Sequence, residues 1–502
     1  MTQTGSGQES RLGSGTLTTI DAIGQSLAIG PIFSAGAVMA TVAAVSGFNT
    51  PLSVVFAFIG SLGMAYVISL YARRYAGAGA MYEYLAKGVT NSFGIFSGGV
   101  YLLGLMFLGA GGVYLEIGNL VQGLLAARLH VDVPYWAGGA AALVLVLVLN
   151  YVGVRVAVRQ VLVMACFSAV PFTLLAIVII VKGGLGGNTL AVFDPGHTSW
   201  NSVFKGILFA VTLFIGFEAS ASIAEEAHNP RKSIPVAMLG TVAICGVFFM
   251  LMAYSGSIGF GIKALGAHNA WAAASSAYGT LAQQYVGSWL NVIIDLTIII
   301  DAVSLSLAFM VTGSRMCFAL SRDGLLPSVA GRTSRFDTPA GGIAILGLWS
   351  VMVLIAGGLF HYGKALGGTS NAFAAFLIAN AAGSYLIELV YVFLALGALR
   401  LVWLGRSSGG LWWKFIAVIV GLCMPLFAFK GSLSPWPAYP LNIAVWLAIA
   451  LIAISAGWWL ILRLTRPDKI EQAAAYAVHD LFEAAEAEYA PAAAGELAGR
   501  LH

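Results

Sequence analysis

The sequence predicts an all-α polytopic membrane protein. Three observations predict it: pervasive hydrophobicity, recurring apolar runs of membrane length, and basic residues gathered on one side of those runs. Hydrophobic residues make up 59% of the 502-residue chain, charged residues only 9%, and the mean hydropathy is +0.89. Soluble domains carry about 25% charged residues, so no soluble core could enclose this much apolar surface. A helix needs roughly 20 mainly apolar residues to cross about 30 Å of hydrocarbon. Twelve runs meet that need, at 19–45, 51–71, 93–126, 135–153, 158–181, 203–224, 235–258, 287–320, 340–358, 371–399, 412–430 and 440–463. They are called spans 1 to 12 below. Spans 3 and 8 are long enough to tilt strongly. Continuous hydrophobicity excludes a β-barrel, whose strands alternate over segments of about ten residues.

Lys and Arg near span ends tend to stay on the cytoplasmic side. With both termini placed inside, all but six of the 25 basic residues fall there, the six being Arg128, Lys182, Lys205, Lys263, Lys364 and Lys430. The expected location is therefore a cytoplasmic membrane with both termini cytoplasmic and the lipid bilayer as the surrounding partner. The net charge of +4 reports topology, and no clustered basic face supports nucleic-acid binding. Cys166, Cys245, Cys317 and Cys423 lie inside apolar spans without Cys-x-x-Cys spacing, which reads as buried packing. Residues 1–18 are polar, and the apolar run after them is too long for a cleavable signal peptide.

The chain divides into a mobile cytoplasmic arm over 1–18, a twelve-helix domain over 19–463 and a cytoplasmic tail over 464–502. Tyr476, Val478, Leu481 and Phe482 have near-helical spacing, so the tail reads as an amphipathic helix or a frayed end. Arg73 to Tyr84 is basic and glycine-hinged, and predicts a cytoplasmic helix lying at the interface. The glycine-rich stretch 182–202 is an outward connector or an outer lid.

Helix breaks at mid-membrane depth expose backbone groups that can grip a polar solute. Span 1 carries such a break at Gly30-Pro31, because Pro31 cannot donate to the Leu27 carbonyl and Gly30 tolerates conformations other residues avoid. Span 6 offers Gly216 in a corresponding place. Five acids sit within spans, Glu116, Glu218, Asp295, Asp301 and Glu388, each costing roughly 3 kcal/mol unless it faces protein or water. Asp301 and Ser304 are three residues apart and share a helix face, as do Glu116 and Asn119.

Residues 216–235 read GFEASASIAEEAHNPRKSIP, and Ser314-Arg315 is followed by Ala319-Leu320-Ser321-Arg322-Asp323-Gly324-Leu325-Leu326-Pro327. These segments, with the weaker Tyr71 to Tyr84 stretch, resemble the amino acid–polyamine–organocation (APC) transporter superfamily. The resemblance covers most of the chain. It implies a LeuT-like 5+5 inverted repeat, with repeat one about 19–181, repeat two about 203–399 and two extra helices at about 412–463. It implies a substrate held between broken spans 1 and 6, at Ile29, Gly30, Ser34 and Gly36 together with Thr212, Phe214, Ile215 and Gly216. Many members read Gly-Ser-Gly-Ile-Phe where this chain has Ile29-Gly30-Pro31-Ile32-Phe33, a departure that reshapes the carboxylate-binding loop.

The same resemblance gives Glu218 a place in a gating network and puts a cation site between spans 1 and 8, where Asp301 and Ser304 are candidates for a coupling H+ or Na+. Some members have a Lys in span 5 at a position that Ser168 matches here. Glu225, Glu226, Arg231 and Lys232 either exchange partners as an inner gate or simply cap, while Asn229 and Pro230 end span 6 and Pro235 suits the first turn of span 7. The expected function is secondary transport of a small amino acid, with a polyamine or other organic amine as the alternative and a non-transporting nutrient sensor as a further one. No other cofactor is implied. No His-Glu-x-x-His, Gly-x-Ser-x-Gly or Gly-x-x-x-x-Gly-Lys motif points to an enzyme or an ATP-driven pump.

Overall fold

The computed structural model of the protein describes residues 12, 15–261, 265, 269–274, 276–366, 368–404 and 411–473. These residues form helices joined by short turns, with one isolated β-bridge between Leu17 and Ala227. Among the described residues, eleven segments are long and apolar enough to cross a membrane, against the twelve expected. The first, Thr19–Ala72, runs 54 residues and holds both expected spans 1 and 2, more than twice the length of one crossing. It turns at Gly47, whose φ of 53° is open to glycine and strained for other residues.

Span 8, Ser288–Arg322, is the central column, and every side chain from Asp301 to Leu320 is buried. Spans toward the rim instead expose Val144, Val148, Phe167, Leu174 and Val181, as helices bathed in lipid must. Burial alone cannot hold helices together in lipid, so close backbone approach matters. Gly63 of span 2 and Gly421 of span 11 supply it: a Cβ on Gly63 would lie 2.6 Å from the Gly421 nitrogen.

Several expectations need correction. The segment after span 2 forms the expected short helix, Met81–Gly88, and most of it is buried by protein, a burial the sequence did not predict. The Asp323 carboxylate explains part of this, since it accepts from the Tyr82 hydroxyl at 2.6 Å and satisfies that polar tip inside the protein. The end of the amino-terminal arm is fixed: Leu17 N–H donates to Glu226 O at 2.9 Å and His228 N–H to Leu17 O at 2.9 Å. The stretch 182–202, in keeping with a connector, is held by the turn between spans 1 and 2, where the Asn49 side chain donates to Val192 O and Asp194 O at 2.9 and 2.8 Å. Cys245 and Cys317 are buried, but Cys166 is exposed on the outer face of span 5. Pro230, not Pro235, takes the first turn of span 7, Pro230–Phe260, where its missing N–H costs nothing. The tail residues Tyr476, Val478, Leu481 and Phe482 lie outside the described residues.

Candidate functional site

Both expected interruptions are present. In span 1 a tight turn over Leu27–Ile29 ends at Gly30, which adopts a left-handed φ of 57°. Gly30 N–H donates to Leu27 O at 2.9 Å, and Pro31 restarts the helix with no N–H to lose. The helix then runs through a wide π turn over Ser34–Val38 that contains Gly36. Ser34 straps the break: its N–H donates to Gly30 O at 2.7 Å and its hydroxyl to Ile29 O at 2.9 Å.

Span 6 stops being α-helical after Thr212 and resumes as a tight helix over Phe217–Glu226. Gly216 forms the joint at φ 115°. Its amide is satisfied by Glu218, whose Oε2 accepts at 3.0 Å while Oε1 accepts from the Tyr101 hydroxyl at 3.2 Å. The two joints meet, since a Cβ on Gly216 would lie 2.6 Å from Ala28 O and 2.9 Å from Ile29 N. The Ser26 hydroxyl donates to Ser220 at 2.8 Å, tying the part of span 1 before its break to the part of span 6 after its joint.

The expected site residues divide. Ile29, Gly30, Ser34, Gly36, Ile215 and Gly216 are buried at or beside the joints. Phe214 turns into the packing, stacking on Phe58 with centroids 6.2 Å apart and meeting Phe249 edge-on at 5.1 Å. Thr212 donates back to Phe209 O at 2.7 Å within its own helix.

Asp301 and Ser304 part company. Asp301 Oδ2 accepts from the Ile32 and Phe33 amides at 2.8 and 2.9 Å, while Ser304 donates across to Val161 O of span 5 at 3.2 Å. Ser168 is buried, and its hydroxyl has no hydrogen-bond partner among the described residues. Glu116 accepts from Asn119 at 3.3 Å and Asp295 from Ser276 at 2.6 Å.

Sequence reasoning missed Gln25. Its Nε2 donates to Ala308 O at 2.9 Å and to the Thr312 hydroxyl at 3.0 Å, bridging spans 1 and 8. A Gln one turn before the break was the available signal.

The side of the bundle that carries the amino-terminal arm is bridged by ion pairs. Glu226 holds Arg315 through two bonds of 2.6 and 2.9 Å, both side chains buried. Glu225 holds Arg322 at 2.9 and 3.1 Å, and Arg322 also stands 3.7 Å from Glu83 of the short helix. The expected partners Arg231 and Lys232 are exposed, and the glutamates turn to span 8 instead.

Burial, with the Glu225 charge adding and Arg322 opposing, pushes the Glu83 carboxyl up to about 8. Asp323 adds to the rise, while the Gly79 amide, donating at 3.1 Å, opposes it. If inward opening hydrates Glu83, its carboxyl returns toward the ordinary value of about 4.3. The protonated acid then favours closure fully below that value, and the preference disappears as pH rises through about 8. Thiol labelling of an Ala221→Cys reporter from the inner side is expected to increase as pH is raised across this window. In a Glu83→Gln background it should stay low and flat; a pH response that survives that change would disprove the role.

Paired helix interruptions sheltered in an apolar bundle, each with an intramembrane acid on its amides, are the build of a membrane transporter and not of a catalyst. The chain belongs to the amino acid permease family, whose pattern matches residues 17–468. It is similar to the branched-chain amino acid permease BcaP of Lactococcus lactis, 24% identical over 41% of this chain and 40% of that one. It is also similar to the uncharacterized amino acid permease YecA of Bacillus subtilis, 28% identical over 50% of this chain and 54% of that one. A probable polyamine transporter of Arabidopsis thaliana is 23% identical over 60% of each chain. The matched stretches thus span about half the length of these relatives. Among solved structures, the manganese transporter of Eremococcus coleocola superposes with a TM-score of 0.53 at 13% identity, covering 90% of this chain and 95% of that one, a likeness of fold. The chain is thus a many-helix membrane protein of the amino acid permease family, and it shares the fold of that manganese transporter.

Proposed function

We propose that this permease is a secondary carrier that moves a small ammonium-bearing solute, an amino acid or an organic amine, across the cytoplasmic membrane by alternating access. The observation that carries the reading is the contact between the two broken helices, Gly216 against Ala28 and Ile29. Backbone groups released at such joints replace the water a charged solute leaves behind. The seat is assigned to Ile29, Gly30, Ser34 and Gly36 on span 1 and to Ile215 and Gly216 on span 6. Thr212 and Phe214 shape its outer wall. Glu218, Asp301, Ser304 and Ser168 form the coupling and gating set, driven by a proton or sodium gradient or by exchange. The relatives support both solute classes, one bearing the name of an amino acid permease and another that of a polyamine transporter. The basic residues support cytoplasmic termini.

The full chain in proteoliposomes, tested by counterflow of labelled leucine, lysine, putrescine and isoamylamine, is expected to accumulate at least one label saturably. Adding a pH or sodium gradient separates the coupling modes. Absence of saturable uptake under every gradient and under exchange would end the carrier reading.

A further inference from the structure

Resting on that reading, we infer that Asp301 is a resident carboxylate occupying the anion seat at the span 1 break, so that the transported solute is an organic amine without a free carboxylate. The amino-terminal end of a half-helix in a membrane is the natural seat for an anion, because its amides lack partners and its dipole is positive. In this chain that seat is taken. Pro31 has no N–H to offer, and the next two amides, Ile32 and Phe33, both donate to Asp301 Oδ2 at 2.8 and 2.9 Å. The acid comes from span 8, 269 residues away in sequence from Ile32, so it is no local cap.

The second oxygen makes the case. Asp301 is fully buried, and Oδ1 has no hydrogen-bond partner among the described residues. A carboxylate is an acceptor on both oxygens. One oxygen is therefore committed to holding the half-helix, while the other is a buried acceptor with no partner among the described residues. Leu305, one turn beyond Asp301, packs on Gly30, where a Cβ would come within 2.5 Å of its Cδ1. The acid is thus locked against the break by its own helix.

A zwitterionic amino acid would bring a second carboxylate to amides already engaged, next to a like charge in a medium where unit charges interact strongly. An amine brings only what Oδ1 lacks, an ammonium donor. Discrimination here rests on the solute carboxylate, not on its side chain.

The test pairs each amino acid with the amine left when its carboxyl is removed: leucine with isoamylamine, lysine with cadaverine, ornithine with putrescine. In counterflow with the wild-type full chain, the amine of at least one pair is expected to exchange and to compete at least about tenfold better than its amino acid, a difference of 1.4 kcal/mol. Leucinamide, whose carboxyl is neutralised, should compete where leucine does not. Asp301→Asn should weaken amine exchange by about 30-fold or more, the loss expected when one partner of a buried charge pair is removed. Monodisperse elution and a retained melting transition check its fold. If that variant does not fold, the leucine and leucinamide comparison in the wild type decides alone. Exchange of the amino acids in preference to their amines, or amine exchange undiminished in Asp301→Asn, overturns the assignment while leaving the carrier intact. Exchange of no member of any pair, with no gradient-driven uptake, removes the carrier reading and this inference with it.

Discussion

Arg315→Met is expected to destabilise the protein by about 3–5 kcal/mol, the range for stranding one member of a buried ion pair. Arg315 and Glu226 are 1% exposed each, so neither charge has water to fall back on. Removing the guanidinium leaves the Glu226 carboxylate without the two bonds of 2.6 and 2.9 Å that neutralise it. The backbone of Glu226 also holds the arm through Leu17, so loosening there spreads to the amino-terminal segment. Thermal unfolding of the purified full chain measures the effect. The double variant with Glu226→Gln should recover much of the loss, because most of the cost is an unpaired charge and not the lost bond. A single variant that melts with the wild type would show that the pair is hydrated in the membrane protein.

Gly216→Ala is expected to reduce transport to below about a tenth of wild type. A left-handed backbone costs an L-residue roughly 1–2 kcal/mol. In addition, the new Cβ would stand 2.6 Å from Ala28 O and 2.7 Å from Ala28 C, backbone atoms that cannot swing aside. The joint of span 6 would have to back away from the joint of span 1. Gly457→Ala provides the control, since a Cβ there meets nothing within 4 Å, and its uptake should match wild type. Initial rates in proteoliposomes compare the two; equal loss in both, or in neither, would show that contact between the joints is not what transport needs.

Much of the architecture was legible because the membrane enforces simple rules. Length and hydropathy located the spans, and Gly30-Pro31 announced its break through a missing donor and a permissive backbone. Gly216 was legible as a breaker, but the structure adds Glu218 on its amide. Other features were hidden for a physical reason: they join residues far apart in sequence. Nothing local shows that Asp301 reaches the Ile32 and Phe33 amides, or that Gln25 reaches span 8. Spacing put Asp301 and Ser304 on one helix face, yet a buried helix has neighbours all round, and the two side chains serve different ones. The glutamates of the inner side were visible in the sequence, but not their choice of Arg315 and Arg322 over the adjacent Arg231 and Lys232.

The small main-chain bridge at Leu17 has a mechanical consequence. It staples the beginning of span 1 to the end of span 6, with Ala22 bonded back to Thr18 just above it. Ser26 and Ser220 add a second rivet higher up. Two half-helices fastened at both levels would swing together as one lever, with the contact of Gly216 on Ala28 and Ile29 as its fulcrum. Access from the inside would then be controlled by rocking a single rigid arm, with the span 8 arginines as its catch.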